Sequence, residues 1–262
     1  MNINEFEMID VLKRLKNEYG VFELKAEFEA EGSRMEEMMR LRDIANRADL
    51  PIILKIGGAE AVTDIYNGII LGVEGLIAPM VETPYAVYKY LGVIENLINP
   101  DNRDYIDFAI NIETKTAVEN IDEILKLEKI SLLRSITFGR SDFAQSCGLA
   151  KKDVDNEKIL NAVQRVSCAV KAKGLKFAIG GNITAKSIDF IKTLKAENLI
   201  DKYETRKVVF AIDSINANPR EGIDAALKFE LLWLKSKRRF YARIKAEDEQ
   251  RIEDLEKRLS SR

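Results

Sequence analysis

The feature that most restricts the fold of this chain is an alternation. Short runs rich in Val, Ile, Leu and Phe recur between longer amphipathic stretches along most of its length. Such runs read as strands buried on both faces, and amphipathic connections of this length are what parallel neighbours require. The runs are "VFELKAE" (21–27), "PIILKI" (51–56), "GLIAPMV" (75–81), "YIDFAINI" (105–112), "LLRSITF" (132–138), "KFAIG" (176–180) and "KVVFAI" (207–212). In "SRMEEMMRLRDIANRA", Ser33 stands as an N-cap with Glu36 three residues on, the spacing of a capping box. Gly57, Gly58, Gly139, Gly180 and Gly181 fall at the ends of runs, where turns belong. The expected fold is α/β, a (β/α)8 TIM barrel with a long charged C-terminal helix. Residues 1–223 would form the barrel and 224–262 a helical extension open to an oligomer contact. Seven runs leave one strand to find, and it is expected at the N-terminus or between Gly139 and Lys176.

Composition narrows the chemistry. The 262 residues carry a net charge of −2 with acids and bases interleaved, so no broad positive field exists to hold nucleic acid. "MNINEFEMIDVLKRLKN" mixes acids into a helical pattern and reads as neither a signal peptide nor a membrane span, which sets the expected location as the cytoplasm. Cys147 and Cys168 are the only cysteines, too few for a disulfide framework or a zinc cluster, and are expected to be buried or partly buried. Histidine is absent altogether, which removes imidazole as base, nucleophile partner or metal ligand. Proton transfer must fall to Asp, Glu, Lys, Tyr, Cys or a metal-bound water.

In parallel α/β folds the ligand site lies at the carboxyl ends of the strands. Glu113 in "NIET" and Asp142 in "GRSD" each follow directly on a buried run. Two hard oxygen donors on neighbouring strands suit Mg²⁺ or Mn²⁺ better than zinc. The alternative is a helix N-cap or first-turn carboxylate, a role that "ETKTAVENIDEI" also offers. "GGNIT" (180–184) can hold a phosphate on backbone N–H groups or simply form a tight turn. Lys55 in "KIGG" is either an anion contact at the same rim or a solvated side chain.

"APMVETPYAV", "NIETKTAVENIDEIL" and "ITFGRSDFAQSCG", in this order, resemble the HpcH/HpaI aldolase and citrate lyase β-subunit family, with similarity running from about residue 22 to 212. The resemblance implies a (β/α)8 barrel in which Glu113 and Asp142 hold Mg²⁺, or Mn²⁺ or Co²⁺ in its place. It implies further that Asn111 orients a bound 2-oxo acid and that the backbone around Gly139, Ser141 and Asp142 receives its carboxylate. Two positions depart from the family pattern. Lys55 stands where an Arg is usual, keeping the charge without the two-pronged fork. Ala30 or Glu31 stands where a proton-transferring His is usual, with Glu29 matching its acidic neighbour; Glu29 or Glu31 is the expected substitute base. The implied activity is a carbon–carbon lyase or aldolase working through the enolate of pyruvate or another 2-oxo acid, with an aldehyde or acyl-CoA as co-substrate. An acyl-CoA ester lyase or thioesterase is one alternative and a non-catalytic binding or scaffold barrel another. Trimers or hexamers built by exchanging the C-terminal helix would give purpose to the thin stripe of Ile252, Leu255 and Leu259.

Overall fold

Eight strands close on themselves in chain order: β1 (Val21–Glu27), β2 (Ile52–Lys55), β3 (Gly75–Ala78), β4 (Asp107–Ile112), β5 (Ser135–Gly139), β6 (Lys176–Gly180), β7 (Lys202–Glu204) and β8 (Val208–Ala211). The structure is a computed structural model that describes residues 1–260. Around the barrel run α1 (Ile3–Tyr19), α2 (Met35–Arg47), α3 (Val62–Leu71), α4 (Pro84–Leu97), α5 (Pro100–Arg103), α6 (Lys115–Glu119), α7 (Ile121–Ile124), α8 (Arg140–Ser146), α9 (Glu157–Ala172), α10 (Ile188–Ala196) and α11 (Pro219–Ser260). Local chemistry sets several of their ends. Asn2 and Glu5 form a reciprocal capping box at α1, which stops on Gly20 at φ +65°. Thr83 caps α4 with Pro84 at its first position, and Thr114 caps α6. At α2 the start falls one residue later than the Ser33–Glu36 spacing suggests: Glu37 reaches back to the Arg34 N–H at 3.2 Å.

Strands β1 to β7 are parallel neighbours, as the amphipathic connections require. The closing strand is not: β8 pairs antiparallel with both β7 and β1. Only Thr205, Arg206 and Lys207 separate β7 from β8, far too short for a crossover, so the chain turns back as a hairpin. A register shift between Val21 and Glu23 fits β1 to this reversed partner. The eighth strand is therefore β7, not an element of the N-terminus or of the stretch between Gly139 and Lys176. With three residues, of which Tyr203 alone is strongly apolar, it leaves little trace in the sequence pattern.

Most apolar burial lies between barrel and helices, where Leu24, Leu54, Ile110, Phe138, Phe177 and Phe210 point outward into one continuous core. The opposite, inward face holds a separate cluster of only Ile53, Ile77, Ala109 and Val209. The rest of that face is polar. Lys25 is in register with Ile53, Glu27 with Lys55, and Asn111 with Thr137, all of them buried. Side chains two apart on a strand share a face, so Glu23, Lys25 and Glu27 all enter the barrel.

Helix α11 has 42 residues, roughly 60 Å at 1.5 Å per residue. It begins at Pro219 and runs unbroken through the expected boundary at 223/224. Ile223, Phe229 and Trp233 pack it against the barrel, and Gly222 lies so close to Tyr19 of α1 that an added Cβ would meet the Tyr19 Cβ at 3.1 Å. Burial ends at Ser236, and from Ala242 to Ser260 every residue is exposed. Cys147 is partly buried as expected, whereas Cys168 is exposed on α9. Among the described residues no helix is long and apolar enough to cross a membrane.

Candidate active site

A cavity of about 390 Å³ opens at the carboxyl ends of the parallel strands. Glu113 anchors one wall. It follows β4, is 2% exposed, and its two oxygens accept the Met80 N–H at 2.9 Å and an Asn111 side-chain N–H at 3.2 Å. Glycine at 139 is a steric necessity there, because a Cβ at that position would stand 2.6 Å from the Glu113 Cβ. Burial pushes the Glu113 carboxyl above its ordinary value, Lys55 and the Met80 N–H oppose this, and Asp142 adds to it. Asp142 sits in the first turn of α8, directly after β5, and lines the same cavity.

The loops behind this wall are held by Arg140, which is wholly buried. Its guanidinium donates to the Gly180 carbonyl at 3.1 Å and the Gly181 carbonyl at 3.0 Å, pairs with Asp155, and lies over the Phe190 ring. Gly181, at φ +81°, is drawn against the start of α8 so closely that a Cβ would fall 2.5 Å from the Ser141 backbone nitrogen. That contact explains why the "GGNIT" turn needs glycine at its second position.

Across the cavity stand charged pairs. Lys55, at the end of β2, meets Glu29 at 2.9 Å. Burial works to lower the Lys55 pKa, but Glu113, Glu29 and Glu27 together hold it above its ordinary value, so the side chain is an ammonium. Deeper in the barrel Lys25 pairs with Glu204 of β7 and lies 4.0 Å from Glu27. The cavity thus gathers Lys55, Glu29, Asn111, Gly139, Ser141, Glu113 and Asp142 from the expected set. Glu31 is the exception: its carboxylate turns away to Lys207 and Arg206 of the hairpin, and it does not line the cavity. Lys25, Glu27, Glu204, Arg206 and Glu230 line it without having been singled out from sequence.

Several buried atoms on this surface have no hydrogen-bond partner, among them Asn111 Oδ1 and Ser141 Oγ. Such atoms are costly unless a ligand or water completes them. The unpartnered Asn111 oxygen beside Glu113 and Asp142 makes a set of hard oxygen donors. One or two carboxylates with water or substrate oxygens completing the shell is the usual mode for Mg²⁺. Charge agrees: six carboxylates line the cavity against four cationic side chains, an excess that a divalent cation balances. The residues present fit such an ion.

Carboxylates, an ammonium and a glycine-lined turn thus gather at the carboxyl ends of the strands, where barrels of this kind carry their ligand sites. Residues 52–181 match the family model described as HpcH/HpaI aldolase/citrate lyase, and over this segment the chain is similar to that family. A 2-keto-3-deoxy-L-rhamnonate aldolase of Escherichia coli O17:K52:H18 is 26% identical over a 186-position alignment covering 57% of this chain and 67% of that protein. In fold, the chain is similar to an HpcH/HpaI aldolase from Desulfitobacterium hafniense DCB-2 (TM-score 0.60, 17% identity, 76% of this chain and 82% of the other). It is equally similar to the citrate synthase SbnG (TM-score 0.60, 19% identity, 86% and 97%).

Proposed function

We propose that the protein is a divalent-metal-dependent aldolase that breaks or forms a carbon–carbon bond through the enolate of pyruvate or another 2-oxo acid, with an aldehyde as the second product or substrate. The observation that carries this reading is the buried Glu113 carboxylate, set beside the unpartnered Asn111 oxygen and Asp142 at the strand ends. The named activity of the Escherichia coli relative supports the same class of bond. The excess of acid around the cavity does not favour the polyphosphate of a CoA ester.

Glu113 and Asp142 would hold the cation, Mg²⁺ or Mn²⁺. When bound, it supplies positive charge next to the oxygen on which an enolate develops, and stabilisation that grows with that charge lowers the barrier. Lys55, kept protonated and aimed by Glu29, adds a second positive charge on the other side of the substrate oxygens. The Ser141 N–H and its unpartnered hydroxyl receive the substrate carboxylate, while Gly139 and Gly181 leave the space it needs. Asn111, one of whose N–H groups is spent on Glu113, offers its free oxygen inward. The exposed end of α11 joins copies of the chain into a homo-oligomer.

The test is calorimetric titration of metal-stripped protein with Mn²⁺ and then oxalate, a planar stand-in for the enolate, beside Glu113→Gln and Asp142→Asn. Oxalate should bind only after Mn²⁺, and each variant should lose at least about tenfold in Mn²⁺ affinity. Oxalate binding without metal, or native Mn²⁺ affinity in either variant, removes this function.

A further inference from the structure

A histidine-free aldolase still needs a group that takes a proton from the substrate and returns it, and no Tyr or Cys lines the cavity. Glu29 is engaged by Lys55 at 2.9 Å, and Glu31 lies off the cavity with Lys207 and Arg206. The remaining acids on that side are Glu27, Glu204 and Glu230. Glu27 and Glu204 flank the single ammonium of Lys25, and each keeps one buried oxygen, Oε2, with no partner. Both residues are more than nine-tenths buried and both line the cavity.

The pairs continue outward. Beyond Glu204, Lys25 and Glu27 come Lys207, Glu31, Arg206 and finally Glu230 on α11, with Arg206 3.6 Å from Glu31 and 4.0 Å from Glu230. Four carboxylates share three cations in this chain of charges, so one carboxylate has no counterion of its own. Within the barrel β1 lies four strands from β5 in the closed order, which sets Glu27 across the lumen from the wall that carries Asp142.

Resting on the aldolase reading above, we propose that Glu27 is the catalytic residue that replaces imidazole, accepting and returning the substrate proton through its free Oε2, with Lys25 and Glu204 holding it in place. In the cleavage direction the proton of the hydroxyl γ to the substrate carboxylate carbon passes to Glu27 Oε2. The adjacent carbon–carbon bond breaks, its electron pair moves into the enolate of the 2-oxo acid, and the hydroxyl carbon leaves as an aldehyde. The same carboxylic acid then delivers its proton to the enolate carbon, giving the methyl group of the 2-oxo acid and restoring the carboxylate. No oxidant or further reactant enters.

The experiment does not require the unknown aldehyde. Full-length protein with Mn²⁺ is incubated with pyruvate in D₂O, and loss of methyl protons is followed by NMR, while oxalate affinity is measured by calorimetry on the same samples. Glu27→Gln should take up Mn²⁺ and oxalate like the native protein yet exchange methyl protons at least about 100-fold more slowly. Should Glu27→Gln fail to fold, Glu27→Asp decides, since it keeps the charge and withdraws the oxygen by one methylene: slowed exchange with native oxalate affinity supports the role. Native exchange in a folded Glu27 variant overturns it. Native protein that binds oxalate but exchanges no protons overturns the assignment of Glu27 and leaves the metal site standing; native protein that binds neither overturns both.

Discussion

Glu113 shows how narrowly one residue of the site is specified. Its carboxylate has a backbone donor, a side-chain donor and a glycine beneath it, and each comes from a different segment: Met80 after β3, Asn111 in β4 and Gly139 at the end of β5. Gly139→Ala places a methyl where the Glu113 side chain now lies, and overpacking of that kind costs about 1–3 kcal/mol. The expected outcome is a lower melting temperature together with loss of Mn²⁺ binding, because the carboxylate must turn aside; unchanged Mn²⁺ affinity in calorimetry would show that it can move without leaving the site. Glu113, Asp142 and Lys55 could be singled out in the sequence because each closes or follows a clearly apolar strand, whereas Asn111, inside β4, entered only through the family resemblance. Lys25 and Glu27 were not, although "VFELKAE" displays Glu23, Lys25 and Glu27 at alternate positions. A charged period-two face on a strand ordinarily means solvent. In a closed barrel with helices outside, the second face of every strand is the lumen, and there the same pattern means a buried site.

At the scale of elements, the hairpin that joins β7 to β8 is the part of the fold the pattern of βα units conceals. It puts Thr205 and Arg206 at the cavity rim, where a crossover connection would have carried the chain away to a new helix. It also binds α11 to the site, since Arg206 reaches Glu230 of that helix. Burial raises the Glu230 carboxyl, Arg206 and Lys207 oppose the shift, and Glu31 and Glu27 reinforce it. A carboxyl raised in the folded state binds its proton more tightly there than in the unfolded chain. Its contribution to stability is complete below the ordinary carboxylate value and is lost as pH rises through the raised one. Glu230→Gln, which cannot titrate, should therefore lose less stability than the native protein as pH is taken upward from roughly 4. Denaturant melts across that range measure the difference, and parallel curves for the two proteins would place the cause of the slope elsewhere.

The whole molecule divides along α11. Up to Ser236 the helix is part of the barrel's outer layer, with Ile223, Phe229 and Trp233 buried; beyond Tyr241 each residue through Ser260 is exposed. An isolated helical stretch of this length is marginal in water, and most helical stability in proteins comes from packing an apolar face. Ile252, Leu255 and Leu259, spaced three and four apart and all more than half exposed, are such a face left uncovered among the described residues. Phe240 and Ile244, also exposed, precede them. A chain ending after Tyr241 keeps every buried residue of α11, so it should fold with the native melting temperature and bind Mn²⁺ and oxalate unchanged. It should also show a lower mass in light scattering than the full chain. Equal masses would mean that the helix end plays no part in assembly, and a loss of oxalate binding on truncation would mean that assembly completes the site.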